Sequence, residues 1–139
     1  MEENKEVVRE FAERVDRGDL SAVEESTTNN FKLHTTGRDV NKEGLKRSTA
    51  GSRNAFPDST ITIEGIVAEG DEVSIRATIR GTHKGKLRDI PPTGKSITVA
   101  RFAMFRLEKG KIAEMWVLGD NLCRYQQLGL LPPTEEIGK

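Results

Sequence analysis

Cysteine, histidine and aromatic side chains are scarce in this chain. Cys123 is the only cysteine, so no disulfide can form within one molecule. Two distant histidines and one cysteine offer no metal-ligand spacing, and no glycine-rich phosphate loop or dinucleotide fingerprint appears, so neither a metal nor an organic cofactor is expected. No nucleophile elbow is present for serine–histidine–aspartate chemistry. An excess of one charge is also missing. The 22 basic residues meet 22 acidic ones, which argues against a nucleic-acid or anionic-membrane surface. No apolar run approaches the roughly 18 residues of a membrane span, and the charged start MEENKEVVREF has no signal core. The expected compartment is the cytoplasm.

The 139 residues suit a single domain spanning 1–139, with a tail from about Pro132 loosely held. The first half is helical. Val7, Val8, Phe11, Ala12 and Val15 share one face, and Arg17-Gly18-Asp19 stops that helix. Asp19 caps a short second helix with Leu20 and Val23, broken by Asn29-Asn30. Phe31 and Leu33 form a short extended piece ending at His34. A third helix opens at Asn41 and stops before Phe56-Pro57-Asp58.

From Ser59 the period changes to two. Ile61, Ile63 and Val67, then Val73, Ile75, Ala77 and Ile79, alternate with polar residues around the turn Glu69-Gly70-Asp71. Keeping both odd-numbered sets on one face requires an odd number of loop residues. In the next hairpin, Ile97 to Leu107 and Ile112 to Asp120 flank Glu108-Lys109-Gly110-Lys111. A two-residue Lys109-Gly110 loop faces Leu107 with Ile112, Ala103 with Trp116, Arg101 with Leu118 and Val99 with Asp120. One wall then carries Val99, Arg101, Phe105, Trp116, Leu118 and Asp120. Since the other face is apolar too, this pair is expected to be central and covered on both sides, with Phe102, Met104 and Met115 as core.

Helical spacing followed by regular alternation makes the expected class α+β, and the expected use of the domain is a pocket for a hydrophobic small molecule. On this register Arg101 and Asp120 are diagonal neighbours. Asp120 is a candidate acid–base group in a partly dry pocket; the competing readings are a structural ion pair with Arg101 or a cap on the final helix. His34 and His83 are candidates for pocket-mouth proton exchange, against an exposed loop histidine and a backbone-satisfied one respectively. Cys123, with no basic cluster beside it, is expected to be buried filler.

The order of parts resembles the SnoaL-like polyketide cyclases (ester cyclases) of the NTF2-like superfamily, from about Lys5 to Leu130. The residues carrying the resemblance are Gly18-Asp19-Leu20, Ala55-Phe56-Pro57-Asp58 and Glu69-Gly70-Asp71. Gly81-Thr82-His83 through Ile90-Pro91-Pro92-Thr93-Gly94-Lys95 is the most specific stretch, followed by Phe105 to Ile112, Glu114, Trp116 and Asp120. The resemblance implies an NTF2-like cone-shaped, mixed or antiparallel sheet closed by N-terminal helices. It implies metal- and cofactor-independent intramolecular aldol ring closure on a polyketide-ester-like carbonyl compound, with Asp120 as acid–base group. Family members also commonly associate through the sheet, so a homodimer or higher homo-oligomer is expected. The family pattern further includes a histidine on the strand beside the aspartate and one directly before the tryptophan. Here Ile97 to Leu107 has no histidine and position 115 is Met. Two functions therefore stand side by side: a cyclase, isomerase or lyase using Asp120, and a non-catalytic binder in which Arg101 orients an anionic group.

Overall fold

In a computed structural model, residues 2–35 and 37–136 are described. Helix α1 (Glu2–Asp16) buries Val8 and Phe11. It ends at Gly18, whose φ of 81° is open to glycine at little cost. Helix α2 (Ser21–Ser26) follows, its first amide bonded to the Asp19 carboxylate at 3.1 Å. Strand β1 (Thr27–Thr35) begins at once and runs through Asn29-Asn30, which stay exposed where its pairing is irregular. Strand β2 (Arg38–Val40) leads to helix α3 (Lys42–Ala55), capped by the Asn41 side chain, which accepts from the Gly44 amide at 2.9 Å. The sheet continues with β3 (Thr60–Glu69), β4 (Glu72–Thr82), β5 (Ser96–Glu108) and β6 (Lys111–Gly119). Helix α4 (Asn121–Gln127) and a short 3₁₀ turn (Thr134–Glu136) close the described chain. From Pro132 the expected loose tail is partly tied down, since Gln126 Nε2 donates to the Pro132 carbonyl and the Thr134 hydroxyl. Its final residues, 137–139, lie outside the described ones.

The six strands form one curved mixed sheet in the order β2-β1-β6-β5-β4-β3, antiparallel except where β1 runs parallel to β6. This is the expected α+β architecture. Helix α1 packs on β3 and β4, and α3 on β1 and β2, so one face of the sheet is covered.

Both hairpins contain a β-bulge, and each bulge changes which residues face inward. Lys109 and Gly110 take φ values of 50° and 79°, as a tight two-residue turn requires, and Leu107 faces Ile112 as expected. Ala113 is then an extra residue. Arg106 faces Glu114, Phe105 faces Met115, Met104 faces Trp116 and Arg101 faces Gly119. The expected register therefore fails after its first pair. Met115 and Val117 join Arg101, Ala103 and Phe105 on the inner face, whereas Trp116 and Leu118 join Phe102 and Met104 outside.

Phe102 (55% exposed) and Met104 (40%) are consequently not core, and β5–β6 is central in the sheet but covered on one side only. In the β3–β4 hairpin the loop has two residues, not an odd number, because Glu69 faces Glu72. An extra residue at Glu64 restores the inward alignment of Ile61 and Ile63 with Ile79 and Ala77, and leaves Val67 exposed.

Candidate active site

The inner face of the sheet and the helices over it enclose a cavity of about 940 Å³, at the upper end of the range typical of small-molecule sites. Its apolar wall includes Phe11 from α1, Phe31 from β1, Ile75 from β4, Phe105 from β5 and Met115 and Val117 from β6. Polar side chains line it as well, among them Asp16 at the end of α1, Arg101 on β5, and Arg124 and Tyr125 on α4.

Asp16 is held in place. Its Oδ1 accepts from the Ser59 hydroxyl at 2.8 Å, and Arg53 bridges the Asp16 and Ser59 carbonyls at 3.3 and 3.0 Å. Arg101 takes part in no ion pair among the described residues. Desolvation pushes its guanidinium below the usual arginine value, the positive charge of Arg124 adds to that, and Asp16 opposes it. Arg124 is likewise pushed down by desolvation. Its Nε is buried without a hydrogen-bond partner, and the guanidinium lies 5.7 Å from the centre of the Phe56 ring.

Of the residues singled out in the sequence, Arg101 and Phe105 line this cavity. Val99 is buried beside it, in a cluster with Phe56, Ile79, Ile97 and Leu128. Trp116 and Leu118 are on the opposite face, because the bulge at Ala113 displaced them. Asp120 follows the same correction. Its carboxylate caps α4, accepting from the Cys123 amide at 3.0 Å, so the capping reading is the one the structure shows. It is exposed, forms no pair with Arg101, and only its neighbours Gly119 and Asn121 reach the cavity.

His34 is also on the outer face. Its Nδ1 meets Asp39 at 2.8 Å and its Nε2 meets Glu114 at 2.6 Å, while the ring stacks on Trp116. Two flanking carboxylates call for a proton on each nitrogen, and they raise the imidazole's pKa, Glu114 most strongly. His83 is fully buried, stacked on Phe56, and does not line the cavity. The Thr93 amide donates to its Nδ1 at 3.2 Å, so the ring proton is on Nε2, which has no partner. It is held by Thr93 and not by carbonyls. Cys123 is half-buried and accepts from Gln127 Nε2 at 2.9 Å.

Asp16, Arg124 and Tyr125 were not singled out. Asp16 was within reach of periodicity: it continues the α1 face of Ala12 by one helical turn, so a carboxylate ends an apolar stripe. Arg124 stands one turn before the buried Leu128 in the same way. Among the described residues, no cluster of three or more His, Cys, Asp or Glu side chains is placed to hold a metal ion. No described helix is long and apolar enough to cross a membrane.

Residues 5–128 match the sequence pattern of the SnoaL-like polyketide cyclases. The chain belongs to that family. No functionally curated protein matches the sequence. Among solved structures, a candidate polyketide cyclase from Bacillus cereus is 33% identical, with a TM-score of 0.79 over 93% of this chain and 82% of that one. IdmH, a candidate polyketide cyclase from Streptomyces antibioticus, is 29% identical, with a TM-score of 0.81 over 91% of this chain and 98% of its own. AclR from Streptomyces galilaeus, described as a candidate hydroxylase, is 27% identical, with a TM-score of 0.87 over 95% of this chain and 99% of its own. The SnoaL-like, NTF2-like fold expected from the sequence is thus the fold observed.

Proposed function

We propose that this SnoaL-like protein is a cyclase- or isomerase-type enzyme that acts, without a cofactor, on a hydrophobic carbonyl compound held in the cavity. The observation that carries the reading is the presence, in one cavity, of a positioned carboxylate and a guanidinium that has no ion-pair partner among the described residues. The base in this proposal is Asp16, since Asp120 is engaged at the helix start. Asp16 takes a proton from a carbon flanked by carbonyls, and the charge that develops on the enolate oxygen faces Arg101. The enolate carbon then attacks a second carbonyl of the same molecule. One C–C bond forms, and the alkoxide recovers the proton from Asp16. Family membership supports this class of chemistry.

Exchange in heavy water tests the first step without requiring the natural substrate. With an aromatic β-keto ester, the protein should accelerate deuterium uptake at the activated carbon; Asp16→Asn should abolish the acceleration, and Asp120→Asn should retain it. Loss in Asp120→Asn alone would return the acid–base role to Asp120. Absence of exchange with every β-dicarbonyl compound that binds would leave the non-catalytic binder, the reading favoured by the position of Asp120.

Copies of the chain are proposed to associate through the outer face of β5 and β6. Phe102, Met104, Trp116 and Leu118 form an uncovered apolar group there, larger than scattered surface residues would make.

A further inference from the structure

Two arginines that lie away from the cavity are well neutralised. Arg14 meets Glu10, Asp19 and Glu25, and Arg106 meets Glu108 and Glu114. Arg101 and Arg124 have no such partners among the described residues, although both line the cavity and each gives up hydration there. A desolvated cation without a partner is costly, and two that repel one another are more so. The carboxylate that acts on Arg101, Asp16, is outside ion-pair distance of both and already accepts from Ser59. Enolisation of a neutral carbonyl compound creates a single negative charge, which one guanidinium answers. Two guanidinium groups together match a ligand that brings a second negative charge of its own.

We propose that Arg101 and Arg124 together form an anion seat, and that the ligand arrives with a carboxylate at one end of an otherwise apolar ring system. The chemistry of the pair fits this ligand. A guanidinium presents a planar fork of N–H donors that matches a carboxylate in two parallel hydrogen bonds. The Phe56 ring under Arg124 holds the guanidinium's face, leaving its edge for the anion. The substrate class is therefore that of aromatic or alicyclic keto acids rather than neutral ketones and esters. The inference rests on the cavity being the ligand site, as the proposed function has it.

The test uses naphthoate and naphthamide, which share a ring body and differ in charge. By calorimetry at low salt, the wild-type protein should bind naphthoate at least about tenfold more tightly than naphthamide, the order expected of one charge-assisted pair. Arg124→Met and Arg101→Met should bring the two ligands to parity, and added chloride should weaken naphthoate alone. In thermal unfolding without ligand both variants should melt no lower than wild type, because a costly charge is gone, and naphthoate should no longer raise their Tm. Equal affinity of the two compounds for wild type would overturn the anion seat while leaving the cavity as a hydrophobic site. A preference for naphthoate that survives both substitutions would overturn it too, by placing the anion elsewhere. Binding of neither compound would overturn the seat and the cavity reading together.

Discussion

His34 stacks its imidazole on the indole of Trp116, ring centres 5.1 Å apart and planes 20° from parallel. The stack stands on the outer face of the sheet, across neighbouring parallel strands. Around it runs a chain of charges from Asp39 through His34 and Glu114 to Arg106 and Glu108. Glu114 accepts from His34 and from Arg106 at once, which holds its carboxyl below the usual range, while His34 is raised.

The signs of these two shifts set a pH window. A raised His34 adds stability that is complete below its ordinary 6.5 and is lost as pH climbs through the higher folded value. A lowered Glu114 adds stability that is complete above its ordinary 4.5 and is lost as pH drops through the lower folded value. Between about pH 5 and 6.5 both contribute in full. His34→Gln should therefore melt below wild type in that window, and the gap should close under alkaline conditions. Melting curves at constant ionic strength check this; a gap independent of pH would show that His34 is not bound as a cation.

Asp120 offers a stability test separate from activity. Asp120→Ala removes the acceptor for the Cys123 amide and should cost about 1 kcal/mol, whereas Asp120→Asn keeps an acceptor and should cost far less. Chemical denaturation of the pair of variants measures the difference. Equal losses would mean that the side chain does not cap α4.

Leu118 is 67% exposed in the isolated chain, at the heart of the proposed contact between copies. Leu118→Asp should convert the wild-type assembly to monomers with little change in the folding of each chain, as read by light scattering and far-ultraviolet circular dichroism. A monomeric wild-type protein would remove the basis for the contact.

Much of this architecture was legible because local chemistry announced it. The apolar face of α1, the Asn41 cap of α3 and the Lys109-Gly110 turn each follow from a few adjacent residues, and each appears where expected. The site was less legible, for one physical reason. A bulge adds a residue through backbone conformation, and period-two reasoning detects it only when one strand face is polar. In β6 both alternating sets are largely apolar, Ala113, Met115 and Val117 against Ile112, Glu114, Trp116 and Leu118, so either register satisfied the pattern. Arg101 and Phe105 survived because β5 itself is regular, whereas Trp116, Leu118 and Asp120 lay beyond the unrecognised bulge. His83 was misplaced for a different reason: the segment after β4 folds back so that Thr93 can reach its ring.

The extra residue at Ala113 makes the lining of the hollow and the outer coat of the same strand exchangeable sets. Loss of a single codon there would turn Trp116 and Leu118 toward the cavity and expel Met115 and Val117 to the exterior. The proposed ligand site and the proposed contact between copies are in this way tied to one backbone irregularity, so a lineage that shortened β6 by one position would have to rebuild both together.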